Sequence, residues 1–339
     1  MKKYLSLILA VLIMTSCLAA CSSGSSKAVA ESGKIQIVTT IFPEYDWVMN
    51  ILGDNPAKAE VSMLLNTGVD LHSFQPTSAD ILKISTCDLF IYVGGESDQW
   101  VDDTLQAAAN KDIIAINLLD VLGDAVKEEE VIEGMQEEDH DHHEGEDEHD
   151  EAHDHDHEGE IEYDEHVWLS LKNATVLVGS ISDAIQKIDP DNAASYKKNT
   201  AAYMEKIKAL DAEYQAAVSD ASFTTLLFGD RFPFRYLVDD YGLSYYAAFV
   251  GCSAEIEASF ETIAFLAQKV DELSLPAVMT IEGTNHEIAE TIVQTTQAKD
   301  QQILSMDSMQ SVSAKDVENG VTYLSIMEKN LSVLKNALK

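Results

Sequence analysis

The stretch 189–220, DPDNAASYKKNTAAYMEKIKALDAEYQAAVSD, decides how the rest of the chain is read. No glycine interrupts the sequence between Gly179 and Gly229. Asp189 is placed to cap a helix start and Pro190 suits its first turn. Tyr196, Tyr203, Ile207, Leu210, Tyr214 and Ala217 recur three, four or seven apart, which draws one continuous apolar stripe. The pattern predicts a single helix over 190–220. At 1.5 Å per residue it is roughly 45 Å long, enough to run the height of two stacked lobes as a stiff spine.

On either side of the spine the chain alternates strand and helix signals. Before it, apolar strand candidates are Ile35–Thr40, Val61–Leu65, Leu89–Val93 and Ile113–Ile116. Helices are expected between them at Pro43–Leu52, Ser78–Ser85 and Ser97–Ala109. After the spine, strands are expected at Thr224–Phe228, Tyr245–Val250, Ala277–Ile281 and Ile303–Met306. The helices there are Phe232–Tyr241, Ser259–Leu273 and Glu287–Ala298, with Val321–Leu338 closing the chain. Such alternation builds parallel sheets covered by helices on both faces. The fold class is α/β: two lobes, 35–189 and 221–339, each with a four-stranded, mainly parallel sheet, joined by a rigid spine helix.

The first 34 residues read differently. Two lysines precede the apolar run LSLILAVLIM, and small residues lead into Cys21. A charged start, a short apolar core and a small-residue cleavage site make an export signal over 1–20. A cysteine at the cleavage point resembles a bacterial lipoprotein signal, which implies lipidation at Cys21. The polar 21–34 then serves as a tether. No other stretch reaches the roughly 18 apolar residues of a membrane span, so the expectation is an extracytoplasmic protein anchored to the cell membrane by lipid. The net charge of −37 argues against nucleic acid as a partner and suits the handling of cations. Beyond the leader only Cys87 and Cys252 remain; they either pair in an oxidising compartment or stay as two packed thiols.

In open parallel sheets ligands bind beyond the carboxyl ends of the strands. There stand Glu44, Asp70 and His72, then Asp230 with Arg231, Glu282 and Asp307, while His166 sits just ahead of another helix signal. Two histidines and several carboxylates converging on one cleft make a site for a divalent metal. His286 opens the segment HEIAE, which has Glu290 where a zinc-protease motif carries its second histidine; it reads as a solvated helix start.

Several segments together, VTTIFPEYDWVMNILGD, LLNTGVDLHSFQPTSADILKISTCDLFIYVG and DEHVWLSLKNA, resemble the metal-binding receptors of bacterial zinc and manganese ABC importers. The resemblance extends from Ile35 through essentially the whole remaining chain. It implies a monomeric receptor with two lobes on a rigid helix, one transition-metal ion between them, and delivery to a membrane permease. The family ligands carry over as His72, His166 and Asp307 of SMDSM. The remaining family ligand stands before a helix start of the form xxFxYL, where FGDRFPFRYL places Arg231, and a guanidinium has no lone pair to give. Either Asp230 supplies an oxygen, or water completes the shell, or Arg231 pairs with a carboxylate and, with Glu282, shapes the cleft.

Seven of the ten histidines (His140, His142, His143, His149, His153, His155 and His157) crowd into 139–157. From 127 to 160 the chain has eighteen carboxylates against one lysine and no apolar periodicity, so this tract is expected to lack fixed structure. Its imidazoles suit loose, accessory metal capture, and they tilt the expected ion from manganese towards zinc. A receptor accounts for these features together. A metal-buffering lipoprotein or surface adhesin would leave the cleft unexplained, and a secreted metalloenzyme lacks a complete catalytic motif.

Overall fold

The computed structural model describes residues 33–54, 58–136, 162–253, 257–283 and 285–339. The segment read as an export signal, Cys21 and all seven tract histidines lie outside the described residues. No helix among the described residues is long and apolar enough to cross a membrane.

The first sheet contains β1 (Ile35–Thr39), β2 (Ala59–Met63), β3 (Leu89–Tyr92) and β4 (Ile114–Asn117), in the order β2-β1-β3-β4. All its pairings are parallel: Ile37 faces Val61 on one side and Leu89 on the other. Helices α1 (Phe42–Leu52), α2 (Ser78–Thr86), α3 (Trp100–Ala107) and α4 (Leu118–Leu122) connect and cover these strands, and α5 (Leu171–Ile188) leads to the spine. The second sheet repeats the plan with β5 (Thr225–Phe232), β6 (Ser244–Val250), β7 (Ala277–Ile281) and β8 (Gln302–Met306), ordered β6-β5-β7-β8 and again parallel. Its helices are α7 (Arg235–Tyr241), α8 (Phe260–Leu273), α9 (Glu287–Thr295), α10 (Ala314–Glu318) and α11 (Tyr323–Ala337). Inner strands such as β3 and β7 are almost wholly buried, mainly apolar runs because helices close both faces, while the edge strands β2, β4 and β8 are partly exposed.

The spine is α6, Ala193–Ser219. Its start differs from the expectation: one 3-10 turn, Pro190–Asn192, precedes the α-helix. The Asp189 carboxylate does not cap the helix; it accepts from the Tyr196 hydroxyl and the Asn192 amide, both at 2.7 Å. The apolar stripe is buried as predicted at Tyr196, Tyr203, Ile207, Leu210 and Tyr214. Tyr203 donates to Asp46 in α1 (3.0 Å), and Tyr214 donates to the Met327 carbonyl in α11 (2.6 Å), so the spine is bonded to both lobes. Beneath the cleft the lobes share one apolar core. Trp47 of α1 meets Tyr323 of α11 edge to face at 5.3 Å, and the Tyr323 hydroxyl donates to the Trp168 carbonyl at 2.7 Å.

Two further expectations need correction. The segment starting at Phe232 was expected to be helical, but β5 continues to Phe232 after a register shift between Phe228 and Arg231. Phe232 stacks on Tyr245 at 3.8 Å, and Asp230 accepts from the Ile281 amide at 3.2 Å, so both sheet packing and hydrogen bonding favour extension. The acidic tract also starts later than its composition implied. Residues 127–136 are folded against the body: Glu129 N–H donates to the Glu162 carbonyl, Gln136 N–H donates to the Ala248 carbonyl, and Met135 is buried.

Candidate metal centre

His72 rides on a 3-10 turn, Leu71–Ser73, whose N-cap is Asp70; the Asp70 carboxylate accepts the His72 N–H at 3.0 Å. His166 follows two buried carboxylates in the segment Asp164–Glu165–His166 and is itself fully buried. Asp164 Oδ1 accepts from both the His166 backbone N–H (2.8 Å) and ring Nδ1 (3.0 Å). On the other ring, His72 Nδ1 lies 2.9 Å from Ser97 Oγ and 3.4 Å from Glu165 Oε2. Glu165 is steadied in turn by the Ser97 N–H, donated to Oε1 at 2.9 Å. Gly95, at φ +78°, makes this possible, since a Cβ there would stand 2.3 Å from Glu165 Oε1.

With both Nδ1 atoms engaged, the two Nε2 atoms face each other across 3.2 Å. Two imidazoles on one tetrahedral zinc, each about 2.0–2.1 Å from it, stand about 3.3 Å apart. Carboxylate or hydroxyl partners on the far nitrogens are the outer-sphere arrangement that orients metal-binding histidines and raises their basicity.

A third donor joins them. The ligand atoms of His72, His166 and Cys252 all lie within 4.8 Å of one another, and among the described residues this is the one group of three or more such side chains. Cys252 follows β6, and its N–H donates to Glu129 Oε1 at 3.0 Å. Gly251 allows the loop to approach, because a Cβ there would sit 3.1 Å from the His166 ring and 2.9 Å from the Phe232 carbonyl oxygen. Cys87 and Cys252 are both free thiols, which settles the disulfide alternative against pairing; Cys87 is buried and donates to the Ile84 carbonyl.

Asp307 is not part of this cluster. Its Oδ1 accepts the Met309 N–H at 2.8 Å, and its backbone is clamped by Asn330, which accepts the Asp307 N–H and donates to its carbonyl. Glu282 holds the same loop through the Ser308 N–H and hydroxyl, both at 2.7 Å. Asp230 also stays outside the cluster, accepting from the Arg231 and Ile281 amides. Arg231 forms an ion pair with Asp70 and donates to the Ser253 carbonyl at 3.2 Å. The carboxylate pairing considered for Arg231 is therefore present, and it ties β5 of the second lobe to the His72 turn of the first. Glu44 turns away from the cleft to accept from the Thr40 and Ile41 amides at the start of its own helix. His286 sits at the N-cap of α9 and lines a neighbouring hollow with Arg231 and Asp70.

The electrostatics match these contacts. Burial, with His166 next, drives the His72 pKa down to about 3, so this ring is neutral at physiological pH. Burial also pushes His166 down, but Asp164, Glu165 and Asp70 outweigh it, and the net shift is upward. Burial first, then Glu129, raises the Cys252 thiol well above its ordinary range. Asp98, behind Gly94, is held up to about 7 by burial, with Glu165 adding to the shift against the Gly94 N–H bond. The site sets a neutral His72 against a His166 that buried acids hold towards its protonated form, so taking up a cation there displaces a proton.

A two-lobed α/β body on a spine helix, with histidines from separate segments meeting between the lobes, is the architecture of a solute-binding receptor for a metal ion. Residues 37–337 match the family described as ZnuA, zinc-uptake complex component A, periplasmic, and this chain belongs to that family. The chain is 31% identical over 317 residues to the zinc-binding protein AdcA of Streptococcus pyogenes, covering 91% of this chain and 57% of that protein. It thus spans less than two thirds of the length of the streptococcal relatives. The high-affinity zinc uptake system protein ZnuA of Bacillus subtilis is also 31% identical, over 322 residues, covering 94% of this chain and 93% of that one. Among solved structures, the Zn(II)-bound ZnuA-like domain of Streptococcus pneumoniae AdcA matches with a TM-score of 0.67 at 28% identity, covering 90% of this chain and 99% of that one. The metal-dependent lipoprotein YcdH of B. subtilis matches with a TM-score of 0.70 at 26% identity, covering 90% and 99%.

The meeting of the two histidines was expected from their loops, and the structure brings the rings together. Cys252 was not expected there, because its neighbours in sequence point to a packed thiol and only the fold carries it to the imidazoles.

Proposed function

We propose that this chain is an extracytoplasmic receptor that captures one zinc ion at His72 and His166 and hands it to an ABC permease. The observation that carries this reading is the pair of Nε2 atoms 3.2 Å apart, each ring held from behind at Nδ1. Water, or an Asp307 carboxylate released from the Met309 N–H, is available to fill remaining positions of the shell. Attachment through a lipidated Cys21 keeps a monomeric receptor beside the permease, and the histidine-rich tract gathers ions loosely near the cleft. Imidazole donors favour zinc over manganese, which prefers carboxylate oxygen. Membership of a family of uptake components supports a binding role and not an enzymatic one. Chelator competition tests the reading. The double variant His72→Ala, His166→Ala should lose tight zinc binding, whereas His286→Ala should retain it; tight binding persisting in the double variant would place the site elsewhere.

A further inference from the structure

We propose that Cys252 supplies the third protein ligand, so that zinc is held by two nitrogens and one thiolate and the sulfur selects against manganese. The inference rests on the zinc-receptor reading above and adds the donor that sets its specificity. Its starting point is a position that cannot ligate. Arg231 points its guanidinium to Asp70 and the Ser253 carbonyl, so the second lobe offers the ion no donor from that residue. One turn of loop beyond β6, the same lobe presents the Cys252 sulfur within 4.8 Å of a ring nitrogen of each imidazole. A nitrogen and a sulfur on one tetrahedral zinc stand about 3.5 Å apart, given bonds of about 2.0–2.1 and 2.3 Å. Closing the difference takes a movement of about an ångström by a side chain at the end of a strand.

The surroundings suit a ligand better than a structural thiol. Cys87 shows the structural alternative: it lies in apolar core and satisfies itself on a backbone carbonyl. Cys252 instead lines a polar hollow with His72, Ser97, Glu129 and Glu165. On binding, the S–H bond breaks, an S–Zn bond forms and the proton leaves to solvent. A divalent ion makes this favourable where burial beside Glu129 alone keeps the thiol protonated. A thiolate is a soft donor that suits zinc and is a poor partner for manganese, so the N₂S set discriminates by chemistry and not only by cavity shape.

Cobalt(II) titration of the full chain reads the sulfur directly. Wild type should give an intense sulfur-to-cobalt charge-transfer band, which Cys252→Ser should abolish and Cys87→Ser should leave intact. Cys252→Ser should weaken zinc binding by more than about 100-fold, beyond the range seen when an outer-sphere partner is lost. Its preference for zinc over manganese should fall with it. Zinc should also protect Cys252 of the wild-type chain from iodoacetamide, a measurement independent of any variant's folding. A charge-transfer band that survives Cys252→Ser, unchanged zinc affinity in that variant, or alkylation unaffected by zinc would each overturn the proposal. If the histidine double variant loses tight zinc while Cys252→Ser does not, the receptor reading stands and the sulfur ligand alone falls. If both variants keep tight zinc, both readings fall.

Discussion

Asp70→Asn isolates the interlobe ion pair. The asparagine oxygen can still accept the His72 N–H that Asp70 Oδ1 now takes at 3.0 Å, so the turn keeps its cap. What disappears is the negative charge that pairs with Arg231. Both side chains are 21% exposed. They fall between surface pairs, which contribute up to about 1 kcal/mol, and buried pairs, whose breakage costs about 3–5 kcal/mol. An intermediate loss of about 1.5–2 kcal/mol corresponds to about a 10- to 30-fold change in affinity if it falls on the pinning of His72. The second consequence has the same sign. An unpaired guanidinium beside the cluster repels the incoming cation, just as Arg231 already disfavours a positive His72. We therefore expect Asp70→Asn to weaken zinc by about 10- to 30-fold or slightly more. In Arg231→Gln the loss of the pin and the loss of the repulsion oppose each other, so its effect should be smaller. The double variant should recover much of the Asp70→Asn deficit. Zinc affinities by chelator competition for all four proteins complete the cycle. Zinc binding within twofold of wild type in Asp70→Asn, or a deficit that Arg231→Gln fails to relieve, would refute the argument.

Three further outcomes are expected. Zinc affinity should rise with pH: His166, whose pKa is raised, must be free of its proton at Nε2, so competition from protons persists above the ordinary histidine value of about 6.5 and strengthens as pH falls. His72, already neutral down to about 3, should contribute nothing to that slope; calorimetry in buffers of different ionisation enthalpy counts the protons released, and a flat profile between pH 5 and 8 would contradict the site chemistry. Removing 137–161 should leave a folded receptor with one tight zinc and fewer weak equivalents, because 127–136 are bonded to the body and are retained; loss of the tight site by titration calorimetry would make the tract more than accessory. Small-angle scattering curves with and without zinc should nearly superimpose, since the spine is bonded to both lobes; a large fall in radius of gyration would count against a rigid spine.

The fold was legible in the sequence because each of its signals is local. Buried parallel strands print as short apolar runs, and the spine prints its own stripe from Tyr196 to Tyr214. Errors came where tertiary contacts override local pattern. Phe232 has the flanks of a helix start, yet stacking on Tyr245 keeps it in β5. The segment 127–136 has the composition of the acidic tract, yet Met135 and the Gln136 amide anchor it to the second lobe. In the site, Asp70 caps the His72 turn and Asp164 holds the His166 ring, each two residues before its histidine, a local signal. Asp307 was named from its place beyond β8 and from the SMDSM segment of the family resemblance, while Asn330 and Glu282, which hold its loop, are distant in sequence. Cys252 illustrates the converse: nothing adjacent marks it, and its relation to His72 exists only once both sheets have formed.

The shared core under the cleft has a consequence for how the protein comes apart. Trp47, Trp168, Tyr323 and the spine tyrosines belong to a single apolar cluster drawn from both halves of the chain. The second half keeps a smaller cluster of its own around Leu266, Val278 and Ile292, but its inner sheet face is completed only by the shared core. Neither half should therefore survive as an autonomous fragment, and denaturation should proceed as one cooperative melt. An ion held at the rim then secures the whole molecule, because anything that binds only the native form shifts the entire transition. Proteases would meet a cargo-laden receptor with no half-open stage to attack, and the receptor would become vulnerable as a unit when its cargo has gone.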